Sequence, residues 1–230
     1  MTLTIIDKPS QNFNDRNGYN INKIILHYTD MKSADDVAQR FLDTETEVSA
    51  HYLIDTDGTI IQFVAEENRA WHAGIAIWQS EENINASSIG IELQNGGEQF
   101  GYDDFPDVQI DALITLIKDI KTRHTIVKQN ILAHSDIAPS RKIDPDYKFP
   151  WDKLAKHDLC IVPEPVETDI PLLDLLDMIG YNTENATDAI TAFQRRYRPS
   201  KIDGNIDDEC SQLAMGIIVK MEEIKIKPRR

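Results

Sequence analysis

The stretch "SAHYLIDTDGTIIQFV", residues 49–64, contains two short runs of β-forming residues on either side of Asp57-Gly58. An Asp-Gly pair between two such runs is a strong local signal for a β-hairpin, because glycine readily adopts the positive φ that a tight turn requires. The stretch therefore predicts two neighbouring antiparallel strands. A sheet that contains this hairpin together with parallel strands is a mixed sheet.

Strand and helix patterns alternate on both sides of the hairpin. Before it, "KIILHY" (23–28) predicts a buried strand, and "SADDVAQRFLD" (33–43) predicts a helix that begins after its first residue, a serine. After it come a predicted strand "SSIGIELQN" (87–95), a long amphipathic helix "DVQIDALITLIKDIKTRH" (107–124) and a last short strand "NILAH" (130–134). This alternation favours an α/β fold in which helices flank a central mixed β-sheet.

The character of the sequence changes after Trp151. "VPEPVETDIP" (162–171) places three prolines and three acidic residues in ten positions, which is typical of an extended linker. Three segments with helical spacing of apolar residues follow and predict a small three-helix domain. We therefore divide the chain into residues 1–160, a linker over 161–171 and a helical domain over 172–230. A unit of about 60 residues is marginally stable alone, so it is either an independent domain or a structural cover.

The charge of the chain restricts its partners. The 230 residues carry 24 Lys and Arg against 39 Asp and Glu, which gives a formal net charge of −15. This balance argues against nucleic acid and anionic membranes, because binding to phosphates depends on dense Lys and Arg. No apolar run of about 18 residues predicts a transmembrane helix, and the first residues show no signal-peptide pattern. Cys160 and Cys210 lack metal-ligand spacing and are predicted to be buried thiols.

Three side chains of the types that bind zinc lie at or beyond the ends of predicted strands. They are His27 in "ILHYT", His134 in "LAHSD" and Asp144 in "IDPD". Two imidazoles and one carboxylate leave the fourth tetrahedral position open for water, which is typical of catalytic rather than structural zinc. For each residue taken singly, we favour a structural interpretation: a hydrogen-bonded core residue for each histidine, and a turn former for the aspartate before Pro145. Spacing alone therefore leaves the zinc site open.

Five motifs stand in an order that is specific to one enzyme family: "ILHYT", "SAHYLIDTDGTI", "AWHAG", "SSIGIEL" and "LAHSDIAPSRKIDP". Over about residues 20–155 the chain resembles the zinc-dependent N-acetylmuramoyl-L-alanine amidases of the amidase-2 type, and within them the AmiD and AmpD branch. The resemblance implies a fold shared with peptidoglycan recognition proteins. It also implies hydrolysis of the amide bond between the lactyl group of N-acetylmuramic acid and L-alanine, and hence a role in the turnover or degradation of the bacterial cell wall.

The resemblance implies a role for each residue of the site. One Zn²⁺ per chain is expected on His27, His134 and Asp144, with zinc-bound water as the nucleophile. Glu92 in "IGIEL" is the implied general base and acid, and Lys142 in "SRKIDP" is the implied stabiliser of the oxyanion. The period-two alternation of the strand turns Glu92 away from its apolar neighbours, which agrees with this role.

Two further groups of residues have alternative interpretations. Trp71, His72 and Ala73 in "AWHAG" are expected to form a groove wall that contacts sugar or peptide, because aromatic rings stack on saccharides. The alternative is a packed tryptophan beside a histidine that is bonded to the backbone. The C-terminal segment, with "AFQRRY" followed by "DGNID", is similar to three-helix peptidoglycan-binding domains.

The helical region also contains Arg195, Arg196 and Arg198, which are unusual in so acidic a chain. They are expected either to face the carboxylates of peptide stems or to form a solvated helix face. If the linker joins independent units, a chain that ends near residue 162 is expected to fold and to cleave soluble muropeptides.

The main alternative to an amidase is a non-catalytic peptidoglycan-recognition module on the same fold. Such modules usually lack one metal ligand, whereas this chain contains the full set. The expected partner is peptidoglycan or a muropeptide, and no obligate protein partner is inferred. The helical domain favours the cell envelope or periplasm, while the lack of a visible leader favours the cytoplasm. Of these two locations we expect the envelope.

Overall fold

A computed structural model describes residues 3–226 of the chain, so residues 1–2 and 227–230 of the predicted domains lie outside the description. The described strands are β1 (Ile5–Asp7), β2 (Phe13–Asp15), β3 (Lys23–Tyr28), β4 (Tyr52–Ile54), β5 (Ile60–Gln62), β6 (Asn68–Ala70), β7 (Ser88–Leu93) and β8 (Ile131–Ala133). The described α-helices are α1 (Ala34–Leu42), α2 (Ile84–Ser87), α3 (Gly97–Phe100), α4 (Asp107–Arg123), α5 (His134–Ile137), α6 (Trp151–Ala155), α7 (Leu172–Ile179), α8 (Ala186–Tyr197) and α9 (Asp208–Ile226). Two 3₁₀ turns lie at Thr44–Thr46 and Lys128–Asn130.

Six strands form the central sheet in the order β1-β5-β4-β7-β3-β8, and β2 pairs with β6 separately. Within the central sheet β4 and β5 are antiparallel, and the other neighbouring pairs are parallel. The hairpin turn contains Gly58 at a φ of 84°, and its N–H donates to the carbonyl of Asp55 at 2.9 Å. The mixed sheet and the hairpin that the sequence predicts are both confirmed.

Helix α4 covers one face of the sheet. Its residues Leu113 and Ile117 pack in one buried cluster with Leu26 of β3 and with Ile89 and Ile91 of β7. Removing so many apolar side chains from water is the main driving force for folding, at about 25 cal/mol for each Å² buried. Because alternate strand residues point to opposite faces, this packing leaves the other residues of β3 and β7 for the second face.

Helices α7, α8 and α9 cover part of the second face. Ile25 of β3 and Leu132 of β8 belong to the same buried cluster as Leu176, Ile190 and Phe193 of the helical region. Another part of this face is covered by α1, which packs on the hairpin. The helical region and the sheet therefore share one continuous apolar core, which agrees with a structural cover, one of the two alternatives. The division at residues 161–171 into separate functional domains stays a prediction.

The predicted linker is extended, but it lies against α9. The N–H of Val166 donates to the carbonyl of Gln212 at 3.1 Å. A Cβ placed on Gly216 would meet the carbonyl oxygen of Glu164 at 2.0 Å, so the two backbones are in direct contact. Glycine at position 216 makes this close approach possible.

The arginines of α8 bind carboxylates of the same chain. Arg196 pairs with Asp136, and its second guanidinium nitrogen donates to the carbonyl of Ile131 at 3.0 Å. Arg195 Nε lies 3.0 Å from a carboxylate oxygen of Asp146. Both partners belong to the region that precedes the linker, so these contacts join the helical region to the part of the chain that contains the sheet.

Arg198 pairs with Asp207 at 3.1 Å inside the helical region. Arg196 and Arg198 are only 7% and 4% exposed. Both interpretations proposed from the sequence, a surface for peptide stems and a solvated helix face, are therefore wrong for these two residues. A buried charge requires a nearby partner, and here Asp136, 60 residues away in the sequence, provides it for Arg196, while the nearer Asp207 provides it for Arg198.

The two cysteines and the apolar character of the helices can also be compared with the sequence analysis. Cys160 and Cys210 are buried free thiols, as predicted. Among residues 3–226, no helix combines the length and the apolar character that crossing a membrane requires.

We predict that the sheet and the helical region unfold together. Leu176→Ala is expected to lower the free energy of unfolding by about 2–5 kcal/mol, because it removes buried methyl groups and leaves a cavity. Met178→Ala, on the exposed side of the same helix, is the matched control and should change stability little. Circular dichroism and tryptophan fluorescence should report one transition.

A chain that ends at residue 162 extends the same test. It exposes the apolar patch around Ile25 and Leu132, so we expect it to aggregate or to melt at a lower temperature. A truncated chain as stable as the intact one would support two independent units instead.

Candidate metal centre and active site

Parallel strand pairing brings distant residues together at one edge of the sheet. His27 of β3 lies opposite Glu92 of β7, and Leu26 lies opposite Ala133 of β8. His134 directly follows β8, so it is next to His27 although 107 residues separate them. The carboxyl ends of parallel strands are where α/β sheets commonly form their sites.

The three predicted metal ligands form a small triangle of donor atoms. His27 Nδ1 lies 2.9 Å from His134 Nδ1 and 3.1 Å from Asp144 Oδ2. His134 Nδ1 lies 3.0 Å from Asp144 Oδ2. In a tetrahedral zinc site, bonds of about 2.0–2.1 Å separate neighbouring donor atoms by about 3.3 Å. All three residues are buried. The size of the triangle and its nitrogen and oxygen donors fit zinc.

The other nitrogen of His134 is held by the backbone. His134 Nε2 lies 3.0 Å from the carbonyl oxygen of Ala73. A carbonyl oxygen only accepts hydrogen bonds, so Nε2 of His134 carries a proton, and Nδ1, on the side of the triangle, is the nitrogen that can bind a metal.

The other nitrogen of His27 is held by a second histidine. His27 Nε2 lies 3.0 Å from His72 Nδ1, and His72 Nε2 lies 3.2 Å from Ser88 Oγ. The Ser88 hydroxyl donates its proton to the carbonyl of Ile84 at 2.6 Å, so Ser88 Oγ accepts from His72 Nε2. His72 Nδ1 is then an acceptor, and His27 carries its proton on Nε2. The lone pair of His27 Nδ1 also points into the triangle.

The charges in the triangle favour a cation. Burial and the neighbouring His134 lower the pKa of His27 to about 4, so this imidazole is neutral near pH 7. Burial opposes the ionisation of Asp144, but the two adjacent histidines hold its pKa well below the usual range. Two imidazole nitrogens and one carboxylate oxygen thus lie 2.9–3.1 Å from one another, and the negative charge of the carboxylate favours a positive ion among them.

Glu92 lies in the same cleft as the triangle and is partly buried. Its Oε2 is inaccessible to solvent and has no hydrogen-bond partner in the described part of the chain. Burial, and next the negative charge of Asp144, raise the pKa of Glu92 well above its ordinary value. A carboxyl group with a raised pKa is suited to accept a proton and return it during a reaction.

Lys142 lies at the same cleft, which has a volume of about 520 Å³. The backbone N–H of Lys142 donates to the carbonyl of Ala138 at 3.0 Å, which holds the residue in the loop before Asp144. Within residues 3–226, its ammonium group forms no hydrogen bond or ion pair, so it is available to a developing negative charge. The two predicted catalytic residues thus lie in one cleft with the three ligands.

The residues of the motif "AWHAG" face different surroundings in the structure. Trp71 lines the cleft, and its contact with sugar or peptide stays a prediction. His72 and Ala73 also border the cleft, but they are 9% and 0% exposed. Their polar groups contact the predicted metal ligands His27 and His134. The alternative of a histidine bonded to the backbone does not describe the ring of His72, because its nitrogens contact the side chains of His27 and Ser88.

Sequence reasoning missed two residues that hold the site. Asn85 Oδ1 accepts the N–H groups of His72 at 3.1 Å and of Ala73 at 2.8 Å. Asp136 Oδ2 accepts the N–H of Ala133 at 2.8 Å, one residue before a metal ligand. No local pattern marks Asn85, because it binds backbone groups 12 and 13 residues away. Asp136 is at the third position of α5 and binds the N–H that precedes the helix, so a capping pattern could have indicated it.

Comparison with known proteins gives a consistent result. Residues 17–147 match the Amidase_2 family, which is described as N-acetylmuramoyl-L-alanine amidase. The chain is 36% identical over 234 aligned positions to the N-acetylmuramoyl-L-alanine amidase AmiD of Escherichia coli K12, covering 87% of this chain and 83% of AmiD. It is also 36% identical to the 1,6-anhydro-N-acetylmuramyl-L-alanine amidase AmpD of Haemophilus influenzae, over 63% of this chain and 86% of AmpD.

A solved structure extends the similarity to three dimensions. The E. coli AmiD complex with anhydro-N-acetylmuramic acid-L-Ala-D-γ-Glu-L-Lys superposes with a TM-score of 0.78 at 34% identity. The match covers 93% of each chain, so it includes most of the helical region as well as the sheet.

The raised pKa of Glu92 predicts a specific pH dependence of stability for the zinc-free protein. Folded protein keeps this proton at pH values where the unfolded chain releases it. The free energy of unfolding therefore falls as pH rises from the ordinary pKa of glutamate towards the raised value. Denaturant unfolding between about pH 5 and about pH 8 should show a steeper fall for the natural chain than for Glu92→Gln, which does not titrate. If the free energies of unfolding of the natural chain and of Glu92→Gln changed equally with pH, the raised pKa of Glu92 would be contradicted.

Proposed function

The chain belongs to the Amidase_2 family of N-acetylmuramoyl-L-alanine amidases, and from this premise we propose that it is a zinc enzyme that cleaves between the lactyl carbonyl of N-acetylmuramic acid and L-alanine. The observation that carries this proposal is the convergence of three acceptors from His27, His134 and Asp144 in the cleft that contains Glu92 and Lys142. Its substrates are peptidoglycan or the muropeptides released from it.

The proposed metal ligands are His27, His134 and Asp144, with one Zn²⁺ per chain. When bound, zinc acts as a Lewis acid that activates water for attack on the amide carbonyl. Two imidazole nitrogens favour zinc over calcium and magnesium, which prefer sites made of oxygen ligands. Three protein ligands also leave a position open, as a catalytic site requires.

Glu92 is the proposed general base and acid. Its carboxylate lies on β7 beside the metal ligands and takes a proton from the attacking water. The partly buried position, which raises its pKa, then favours the protonated form that donates to the leaving amine of L-alanine. Both transfers use the same oxygen atoms, so no second acid is required.

Lys142 is the proposed stabiliser of the oxyanion. An amide carbonyl gains a full negative charge on its oxygen when water adds, and an ammonium group that is already in place lowers the energy of that state. The ammonium of Lys142 has no partner within residues 3–226 that would have to be displaced. Trp71, on the wall of the cleft, is proposed to contact the sugar or the peptide.

The helical region and the location of the protein extend the proposal. AmiD shares the helical region with this chain and was solved with an anhydro-muropeptide, which supports a similar substrate here. We propose that the region over 172–230 contributes to peptidoglycan binding and that the protein acts at the cell envelope. A non-catalytic recognition module, the alternative, would not require Glu92 and Lys142 next to a complete ligand set.

We predict that substitutions separate metal binding from chemistry. His27→Ala, His134→Ala and Asp144→Ala should each lose zinc and abolish turnover, because each removes one of three ligands. Glu92→Ala and Lys142→Ala should keep about one zinc per chain and lose about a hundredfold or more in kcat. Metal analysis of each purified variant, together with its rate, is the measurement. Full activity of zinc-free His134→Ala would rule out the assignment.

We also predict the products. Purified protein with zinc should release free peptide stems that begin with L-alanine, and mass spectrometry should show the matching intact muramic acid. Removing zinc with a chelator should stop the release, and adding zinc should restore it. Parallel reactions with whole sacculi and with soluble anhydro-muropeptides compare the two substrate forms. A protein that binds sacculi without releasing peptides would be a recognition module.

A further inference from the structure

We propose that His72 and Ala73 determine the zinc affinity of the site without contacting the metal, because they hold the protons and the ring orientations of both histidine ligands. The inference deepens the proposed function and rests on its zinc site. Two hydrogen-bond acceptors from one loop, which we call the two supports, hold the ligands. His72 Nδ1 accepts from His27 Nε2, and the Ala73 carbonyl accepts from His134 Nε2, each at 3.0 Å.

The orientation of both bonds follows from fixed donors and acceptors. A histidine ligand binds metal through a nitrogen that carries no proton, so the other nitrogen must keep its proton. The carbonyl of Ala73 enforces this state on His134. For His27 the same state follows from His72 and Ser88. The Ser88 hydroxyl donates to the carbonyl of Ile84, so Ser88 accepts from His72 Nε2, and His72 Nδ1 is left to accept from His27 Nε2. In both ligands Nδ1 is therefore ready to bind before any metal arrives.

Gly90 of β7 provides the space for the His72 ring. A Cβ on Gly90 would lie 2.4 Å from Cγ of His72, well inside the contact distance of two carbon atoms. Gly90 does not have the positive φ that requires glycine elsewhere in this chain. The reason for glycine at this position is thus the ring that lies over it.

The strand at Gly90 is itself held in place by His51. The N–H of Gly90 donates to His51 Nδ1 at 3.0 Å, and the N–H of His51 donates to the carbonyl of Gly90 at 3.1 Å. His51 is fully buried, and burial lowers its pKa to about 3, so it remains a neutral acceptor near pH 7. A rigid strand beneath His72 keeps the ring at its distance from His27.

Asn85 couples the two supports to each other. Its single side-chain oxygen accepts from the backbone of both His72 and Ala73. The loop therefore cannot shift at one residue without loosening the bond at the other. Partners of this kind, behind the ligands of a metal site, typically change metal affinity by about 10- to 100-fold when they are removed.

The main test compares His72→Asn with His72→Leu. The two replacements have nearly the same shape, but Asn Oδ1 takes the place of the accepting Nδ1, whereas Leu has no acceptor. Competition with a chromophoric zinc chelator measures the dissociation constant. We expect His72→Leu to bind zinc about 10- to 100-fold more weakly than the natural chain, and His72→Asn to recover most of that loss. Equal affinity of His72→Leu and the natural chain, or equal losses in both variants, would overturn the inference.

A second test uses the space under the ring. Gly90→Ala alone should weaken zinc binding about as much as His72→Leu, because the added methyl group displaces the ring. In a His72→Ala background, Gly90→Ala should not weaken zinc binding further, since the ring atoms that the added methyl group would meet are absent. Additive losses in the double variant would mean that Gly90 acts independently of His72 and would contradict the inference.

A third test requires no substitution and no metal. Long-range ¹H–¹⁵N NMR of the zinc-free natural chain should show the proton of His27 on Nε2, with a coupling across the bond to His72 Nδ1. A proton on Nδ1 of His27 would overturn the inference. Failure of the natural chain to bind zinc would instead overturn the proposed function, so the two failures are distinguishable.

Discussion

The parallel pairing of β3 with β7 and β8 is the constraint on which the rest of the site depends. It places His27 opposite Glu92 and directs the chain from Ala133 into His134. A shift of the pairing by one residue would turn every side chain of a strand to the other face, and the apolar residues under α4 would then be exposed. Burial of that apolar face therefore fixes the positions of the reactive groups. The ligands are held by the core rather than by flexible loops, with the exception of Asp144, which is bound to the two histidines and lies in the loop after α5.

One face of β7 illustrates how a short strand can support the proposed metal site through several side chains. Ser88, Gly90 and Glu92 follow one another along this face. Ser88 sets the proton of His72, Gly90 leaves room for its ring, and Glu92 lies in the cleft where a substrate would react. The alternate residues pack into the core. The small side chains are therefore as important as the charged one, because a precise ligand geometry requires that the groups behind the ligands be held as well.

The helical region contacts the segment around the proposed ligand His134 as well as the sheet. Asp136 accepts from Tyr181 Oη at 2.7 Å and pairs with Arg196, and both partners lie in the helical region. Asp136 also accepts the N–H of Ala133, which precedes the ligand His134. A buried charged pair stabilises little by itself, but removing one partner leaves an uncompensated charge and is costly. The pair therefore favours one arrangement of the helices on the sheet, and this arrangement lies directly behind a metal ligand.

Local sequence patterns determined the elements of the fold and much of the site. The Asp57-Gly58 turn, the apolar runs and the capping serine depend on neighbouring residues alone, so the hairpin, the mixed sheet and α4 were predictable. The alternation of "SSIGIEL" placed Glu92 on the face opposite its apolar neighbours, and the order of motifs predicted a ligand set whose three residues the structure brings together. Tertiary structure alone decided the partners of the buried arginines, the packing of the helical region on Ile25 and Leu132, and the contacts of His72 with His27 and Gly90. Each of these joins residues that are far apart in the chain. A hydrogen-bond acceptor or a space for a ring leaves no mark on local spacing, because it exists only after the strands have paired.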